Sequence, residues 1–147
     1  MGWQRSVVAT CGGVVVAAVL ARYIGLPILV ALEDIFVPEL DSAFRPEPTH
    51  PLIFGAASLA AIGSCFLLGG LTAALAAPLQ RLRHAMATGL LVGVLVLAID
   101  VRPSGTQTPT AFLAIVAWVV AFTTITAALG GLVGSWVAHR RAIPTSG

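Results

Sequence analysis

Between Pro51 and Leu79 the chain carries no charged side chain, and after the short basic link Gln80, Arg81, Leu82, Arg83, His84 a second apolar run continues to Asp100. About 20 apolar residues in helical form cross the roughly 30 Å hydrocarbon layer of a bilayer. The first run, about 28 residues, is near 42 Å long as a helix, so it fits a membrane with tilt or protruding ends. Together the runs predict a transmembrane helical hairpin over Gly55 to Asp100. A water-soluble alternative is excluded by composition: 58% of the 147 residues are hydrophobic and only 10% charged, with a mean hydropathy of +0.98.

The charges then orient the chain. Eight arginines, no lysine and six acids give a net charge of +2, and cytoplasmic loops carry the excess of basic residues. Arg5, the link Arg81 to His84, and the closing His139, Arg140 and Arg141 all fall on one side if the chain crosses four times. The expectation is therefore an all-α bundle forming a single membrane domain over 1–147. Its spans are about 6–25, 52–79, 85–100 and 109–138, with an outer loop at 26–51 and both termini cytoplasmic. Charges at the ends of apolar runs are an orientation signal, not the basic face of a nucleic-acid-binding protein, so no nucleic-acid partner is expected. Arg5 followed by the run Val7 to Leu20 and then Ala21 is also the pattern of a secretory signal. It is read here as an uncleaved first span.

In the first segment Ala9, Gly13, Ala17, Ala21 and Gly25 recur every four residues. They leave one side nearly flat, which lets another helix backbone approach closely. Pro27 removes a backbone donor and should kink or end the helix. Beyond it Ile28, Leu29, Leu32, Ile35 and Phe36 keep an apolar stripe, with Glu33 and Asp34 off it. This predicts either a short amphipathic helix in the first outer loop or a bent extension of the first span. Leu32, Ile35 and Phe36 are its candidate docking residues. Pro38, Pro46, Pro48 and Pro51 favour an extended connector, and Pro51 is a good first helical residue. Thr106, Gln107 and Thr108 are placed to cap a helix beginning at Pro109.

Small residues mark the expected helix contacts: Gly13, Ala17 and Ala21 in the first span, Gly69 and Gly70 in the second, Gly89 and Gly93 in the third, Gly130 and Gly134 in the fourth. Internal packing is favoured for any one of these faces, but their number leaves room for one that meets a partner. Leu68-Gly69-Gly70-Leu71 matches Leu129-Gly130-Gly131-Leu132, as two repeated hairpins related by an axis along the membrane normal would. In that scheme Arg22 and Asp100 occupy corresponding outer positions and are a candidate interhelical ion pair; the alternative is that both reach headgroups.

The same residues speak against several chemistries. His50, His84 and His139 lie at span boundaries, so intramembrane ligation of haem or pigment is not expected, and no cofactor is assigned beyond lipid contacts. Cys11 and Cys65 fall at different depths, too far apart for a disulfide, and read as small apolar fillers. Ser64, Thr72, Thr123, Thr124 and Thr126 are the polar groups within spans, where a hydroxyl usually bonds the carbonyl one turn back. With no mid-span carboxylate, proton-coupled transport is disfavoured. No Ser-His-Asp set, HExxH or phosphate-cradling loop is present, and no metal site or enzyme activity is expected.

The residues Gly69, Gly70, Arg81, Gly89, Gly93, Gly130 and Gly131 give the second half of the chain a plan that resembles small four-helix bacterial membrane proteins of unknown function. Arg22, Tyr23 and Glu33 are similar, more faintly, to the end of the first helix in the small membrane subunit of tripartite periplasmic transporters, although the tryptophan usual between them is absent. Both resemblances imply a multi-pass protein of the bacterial plasma (inner) membrane and a helper role. The expected function is a non-catalytic accessory subunit packing against a larger membrane complex, with other membrane subunits and lipids as partners. The alternative is a small self-associating transporter or channel subunit.

Overall fold

A computed structural model describes residues 2–37, 48, 50–77, 80–100 and 108–141, and every regular element among them is helical. α1 (Gly2–Leu20) passes through a π-helical turn (Ala21–Gly25) into α2 (Leu26–Phe36), followed by α3 (Pro51–Ala76), α4 (Arg81–Asp100) and α5 (Pro109–Arg141). Four stretches are long and apolar enough to cross a membrane: Trp3–Phe36, Pro51–Ala76, Arg81–Ile99 and Pro109–Arg140.

The helix ends follow from local chemistry. Pro51 and Pro109 open α3 and α5, where a missing amide hydrogen costs nothing. Thr108 caps α5, its Oγ1 accepting from the Ala111 amide at 3.3 Å. Thr106 and Gln107 lie outside the described residues. Gln80, just before α4, adopts φ 61°, an uncommon conformation for a residue with a side chain. Its carbonyl accepts from the His84 amide at 3.3 Å.

Pro27 neither ends the first helix nor sets off a separate surface helix. The Leu26 amide reaches back five residues to the Ala21 carbonyl, so the turn just before the proline is widened. That relieves the clash a proline ring makes with the carbonyl four residues before it. The helix continues to Phe36, whose ring meets Phe54 of α3 at 6.2 Å between centroids. The first span thus ends at Phe36 rather than Gly25, and of the two alternatives for this segment the extension is what forms. The second helix ends at Ala76, short of the expected 79, with Ala77 donating to the Ala73 carbonyl.

Packing of glycines fixes how the helices run. Gly13 and Ala17 of α1 lie against Gly69 and Ala73 of α3, and Gly25 lies against Cys65, so these helices are antiparallel. Gly89 and Gly93 of α4 face Thr123, Thr124 and Val120 of α5, while Gly131 faces Ala85, again antiparallel. Gly63, Gly70 and Ala74 of α3 meet Phe122, Ala127 and Gly134 of α5 in parallel sense. α1 runs parallel to α4, with Gly13 beside Thr88. α3 and α4 touch each other and both outer helices, whereas α1 and α5 make no contact among the described residues. The result is a four-helix bundle with a short α3–α4 diagonal.

The two Gly-Gly pairs show why adjacent glycines serve this arrangement. Successive residues point about 100° apart around a helix, so one pair opens two faces at once. Gly69 admits α1 and Gly70 admits α5; Gly130 admits α3 and Gly131 admits α4. Gly70 and Gly130 are reciprocal, Gly70 against Ala127 and Gly130 against Leu67, each position three residues before the other glycine. Aligning the pairs in sequence therefore places Gly70 opposite Gly131, one residue away from the pairing that the packing makes.

Beyond the glycine seam the interior is filled by larger groups. Ala17, Phe66 and Val92 are buried together, with Val14, Ala21, Ile62, Val96 and Phe122 around them. Phe66 meets Phe122 edge to face at 6.3 Å, and Trp118 stacks on Phe122 at 5.3 Å.

Candidate functional site

All the small residues singled out from sequence lie on faces turned to a neighbouring helix. A Cβ on Gly13 would come within 2.7 Å of the Gly69 carbonyl oxygen and 2.9 Å of Thr88 Oγ1; one on Gly89 within 2.5 Å of the Thr123 carbonyl oxygen; one on Gly93 within 2.6 Å of Thr123 Oγ1. Gly134 lies more loosely against Ala74 and Leu71. Ala17 is fully buried and Ala21 half-buried. The glycine stripes are thus occupied within the bundle, and the surplus face inferred from their number is not a glycine face.

Hydroxyls within the spans are turned back on their own helices. Ser64 donates to the Ala61 carbonyl, Thr72 to Leu68, Thr123 to Val119 and Val120, and Thr126 to Phe122. Thr124 Oγ1 is buried without a partner among the described residues. Cys11 is exposed and Cys65 buried, both as free thiols. No group of three His, Cys, Asp or Glu able to hold a metal occurs among the described residues.

Arg22 stands exposed in the π-helical turn. The side chain of Asp100 lies outside the described residues, and with it the candidate ion pair. Leu32, Ile35 and Phe36 do not share one outward surface: Ile35 is exposed, Leu32 is half-buried and Phe36 leans on Phe54.

The polar feature of the bundle lies at its basic end, where sequence reasoning placed no site. Between the first turns of α1 and α4 a groove of about 450 Å³ is lined by Ser6, Thr10, Cys11, Gln80, Arg83 and His84, with Val7, Ala87 and Leu91 as its apolar wall. One turn beyond His84, Thr88, almost wholly buried, donates to its own His84 carbonyl at 2.9 Å and reaches the Thr10 carbonyl of α1 at 3.4 Å. His84 Nδ1 lies 2.9 Å from the Gln80 carbonyl and must be the donor there, because a carbonyl only accepts. That bond holds the imidazole at the edge of the groove.

Electrostatics at this end are one-sided. Arg5, Arg81, Arg83, His139 and Arg140 belong to the helix ends gathered here, while the described acids, Glu33, Asp34 and Asp100, belong to the opposite end. Arg81 Nε is buried without a hydrogen-bond partner among the described residues, and the Arg140 guanidinium stacks over Trp136 at 4.0 Å. The sequence signal for the groove was the basic link itself. What it lacked was the adjacency of α1 and α4, residues 6–11 facing residues 80–91, which only the packed bundle supplies.

No protein-family model, curated protein or solved structure matches this chain. The reading of its role therefore rests on the residues and their arrangement.

Proposed function

We propose that this chain is a non-catalytic subunit embedded in a bacterial plasma membrane, oriented with its arginine-rich end in the cytoplasm, which binds a larger membrane protein through one side of α3. The observation that carries the reading is an unspent row of small residues. Ala56, Ala60 and Ser64 are exposed at successive four-residue intervals on α3, with open space beyond Gly55. Inside a bilayer such a row, and not a row of leucines, is where a second helix packs closely. The glycine-lined interior, by contrast, is closed: a Cβ placed on Gly70 or Gly130 would already overlap the backbone of the facing helix. It offers a permeating solute no passage through the glycine seam of one copy, which weighs against a monomeric channel.

The test is copurification from native membrane in mild detergent, comparing wild type with Ala60→Leu. The variant is expected to keep its helix content and stability while losing the companion protein. Wild-type protein that emerges alone, or that conducts solute when reconstituted alone in liposomes, would overturn the proposal.

A further inference from the structure

We propose that the groove between α1 and α4 holds an anionic phospholipid, its phosphate at Gln80 and Arg83 and the start of an acyl chain along Ala87 and Leu91. This is independent of what α3 binds.

Shape gives the first argument. The groove opens between two helices that are both long and apolar enough to span a membrane, and along α4 its lining changes from polar Gln80, Arg83 and His84 to apolar Ala87 and Leu91. Ser6, Gln80, Arg83 and His84 stand at the helix ends, whereas Leu91 is two to three turns further in. An amphiphile matches that gradient and a wholly polar solute does not. The volume falls within the roughly 300–1,000 Å³ of small-molecule sites.

Charge gives the second. A helix N-terminus is the positive end of its dipole and is normally stabilised by acids in the first turn, but the first turn of α4 has none and carries Arg81 and Arg83 instead. The helix thus adds two cations where its own field is already positive. A bound anion removes that conflict. The Ser6 and Thr10 hydroxyls, the Gln80 amide and the Arg83 guanidinium make no hydrogen bond or ion pair with other described residues, so these donors are available. Basic pockets between transmembrane helices at the cytoplasmic face are where anionic headgroups bind.

Phosphate is the chemistry shared by a lipid headgroup and the free ion, and the apolar wall assigns the site to the lipid. The full-length protein in mild detergent is titrated with phosphatidylglycerol, with phosphatidylcholine and with inorganic phosphate. Retained ligand is read by native mass spectrometry and stability by thermal unfolding. Phosphatidylglycerol is expected to be retained at least tenfold over phosphatidylcholine and to raise the melting temperature, with inorganic phosphate doing neither.

Arg83→Gln should weaken phosphatidylglycerol binding roughly fivefold, the factor equivalent to about 1 kcal/mol per basic residue near an anionic headgroup. Leu91→Trp, which fills the apolar wall, should weaken it as well. Both residues are exposed, so the fold should tolerate the changes, and helix content by circular dichroism checks this. Arg140→Gln, on α5 and away from the groove, should leave binding unchanged. Equal retention of the two lipids overturns the proposal. So does an Arg140→Gln loss as large as that of Arg83→Gln, which would mean diffuse attraction to the whole basic end, or stabilisation by inorganic phosphate alone, which would mean a free-anion site.

Discussion

Two parallel helix pairs run through this bundle, α3 with α5 and α1 with α4, and they are built to different closeness. In the α3–α5 pair each helix offers a glycine to the other's backbone, Gly70 to Ala127 and Gly130 to Leu67, and Gly134 continues the contact to Ala74. In the α1–α4 pair glycine comes from one side only. Gly13 meets Thr88, a hydroxyl and a methyl rather than bare backbone, and towards the helix ends Thr10 and Cys11 face His84 and Ala87 across open volume. In a membrane bundle without a hydrophobic drive between its helices, reciprocal glycines let backbone meet backbone, and the α1–α4 pair has no such reciprocal pair. The seam is the place for stability, and the parting is the place for a ligand.

The most damaging way to break this contrast is to thicken the closed pair. A Cβ added at Gly70 would overlap the carbonyl group of Ala127, which is backbone and cannot rotate aside. The helices must separate, and the reciprocal contact of Gly130 is lost with them. Gly70→Ala is expected to cost about 3 kcal/mol, the upper range for overpacking. Reversible unfolding in mixed detergent micelles would measure it. A loss below about 1 kcal/mol would show that the α3–α5 seam is no tighter than its neighbour.

How much of this was legible beforehand depends on the range of the information. Four apolar runs, the helix starts at Pro51 and Pro109 and the Thr108 cap are local, and each could be read from a few consecutive residues. The row Ala9, Gly13, Ala17, Ala21, Gly25 was legible as small, but such a row drifts about 40° per step around a straight α-helix. Its far end returns to α3, with Gly25 buried beside Cys65, after a π-helical turn that nothing in the local propensities announces. The proline read as a kink or an end is the residue that this turn accommodates. The division of each Gly-Gly pair between two neighbours, and the groove formed by residues 6–11 and 80–91, depend on which helices touch. That is a property of the packed whole.

A milder change acts on the open pair where it begins to close. Thr88 Oγ1 spans from its own helix to the Thr10 carbonyl at 3.4 Å, a long bond in a nearly buried position. Thr88→Val keeps the shape and removes the hydroxyl. Interhelical hydrogen bonds in membranes average about 0.6 kcal/mol, so a loss near that value is expected in the same unfolding experiment. The groove should widen in turn, raising the reactivity of Cys11 towards a thiol reagent. Unchanged stability together with unchanged Cys11 reactivity would mean that Thr88 serves its own helix alone, through the His84 carbonyl.

The smallest effect is expected at Gly12, and it tests the contrast from its empty side. Gly12 and Gly13 are neighbours in α1 with opposite surroundings: a Cβ on Gly13 meets two helices within 3 Å, whereas one on Gly12 meets nothing within 4 Å. Glycine in a helix interior costs backbone freedom that alanine does not. Gly12→Ala should therefore be neutral or stabilising by up to about 0.5 kcal/mol, within the span of the Gly-to-Ala propensity difference. A clear loss of stability at Gly12 would mean that another surface packs against this side of α1 in the detergent-solubilised protein. The open face beside the groove would then be an interface rather than a way in for lipid.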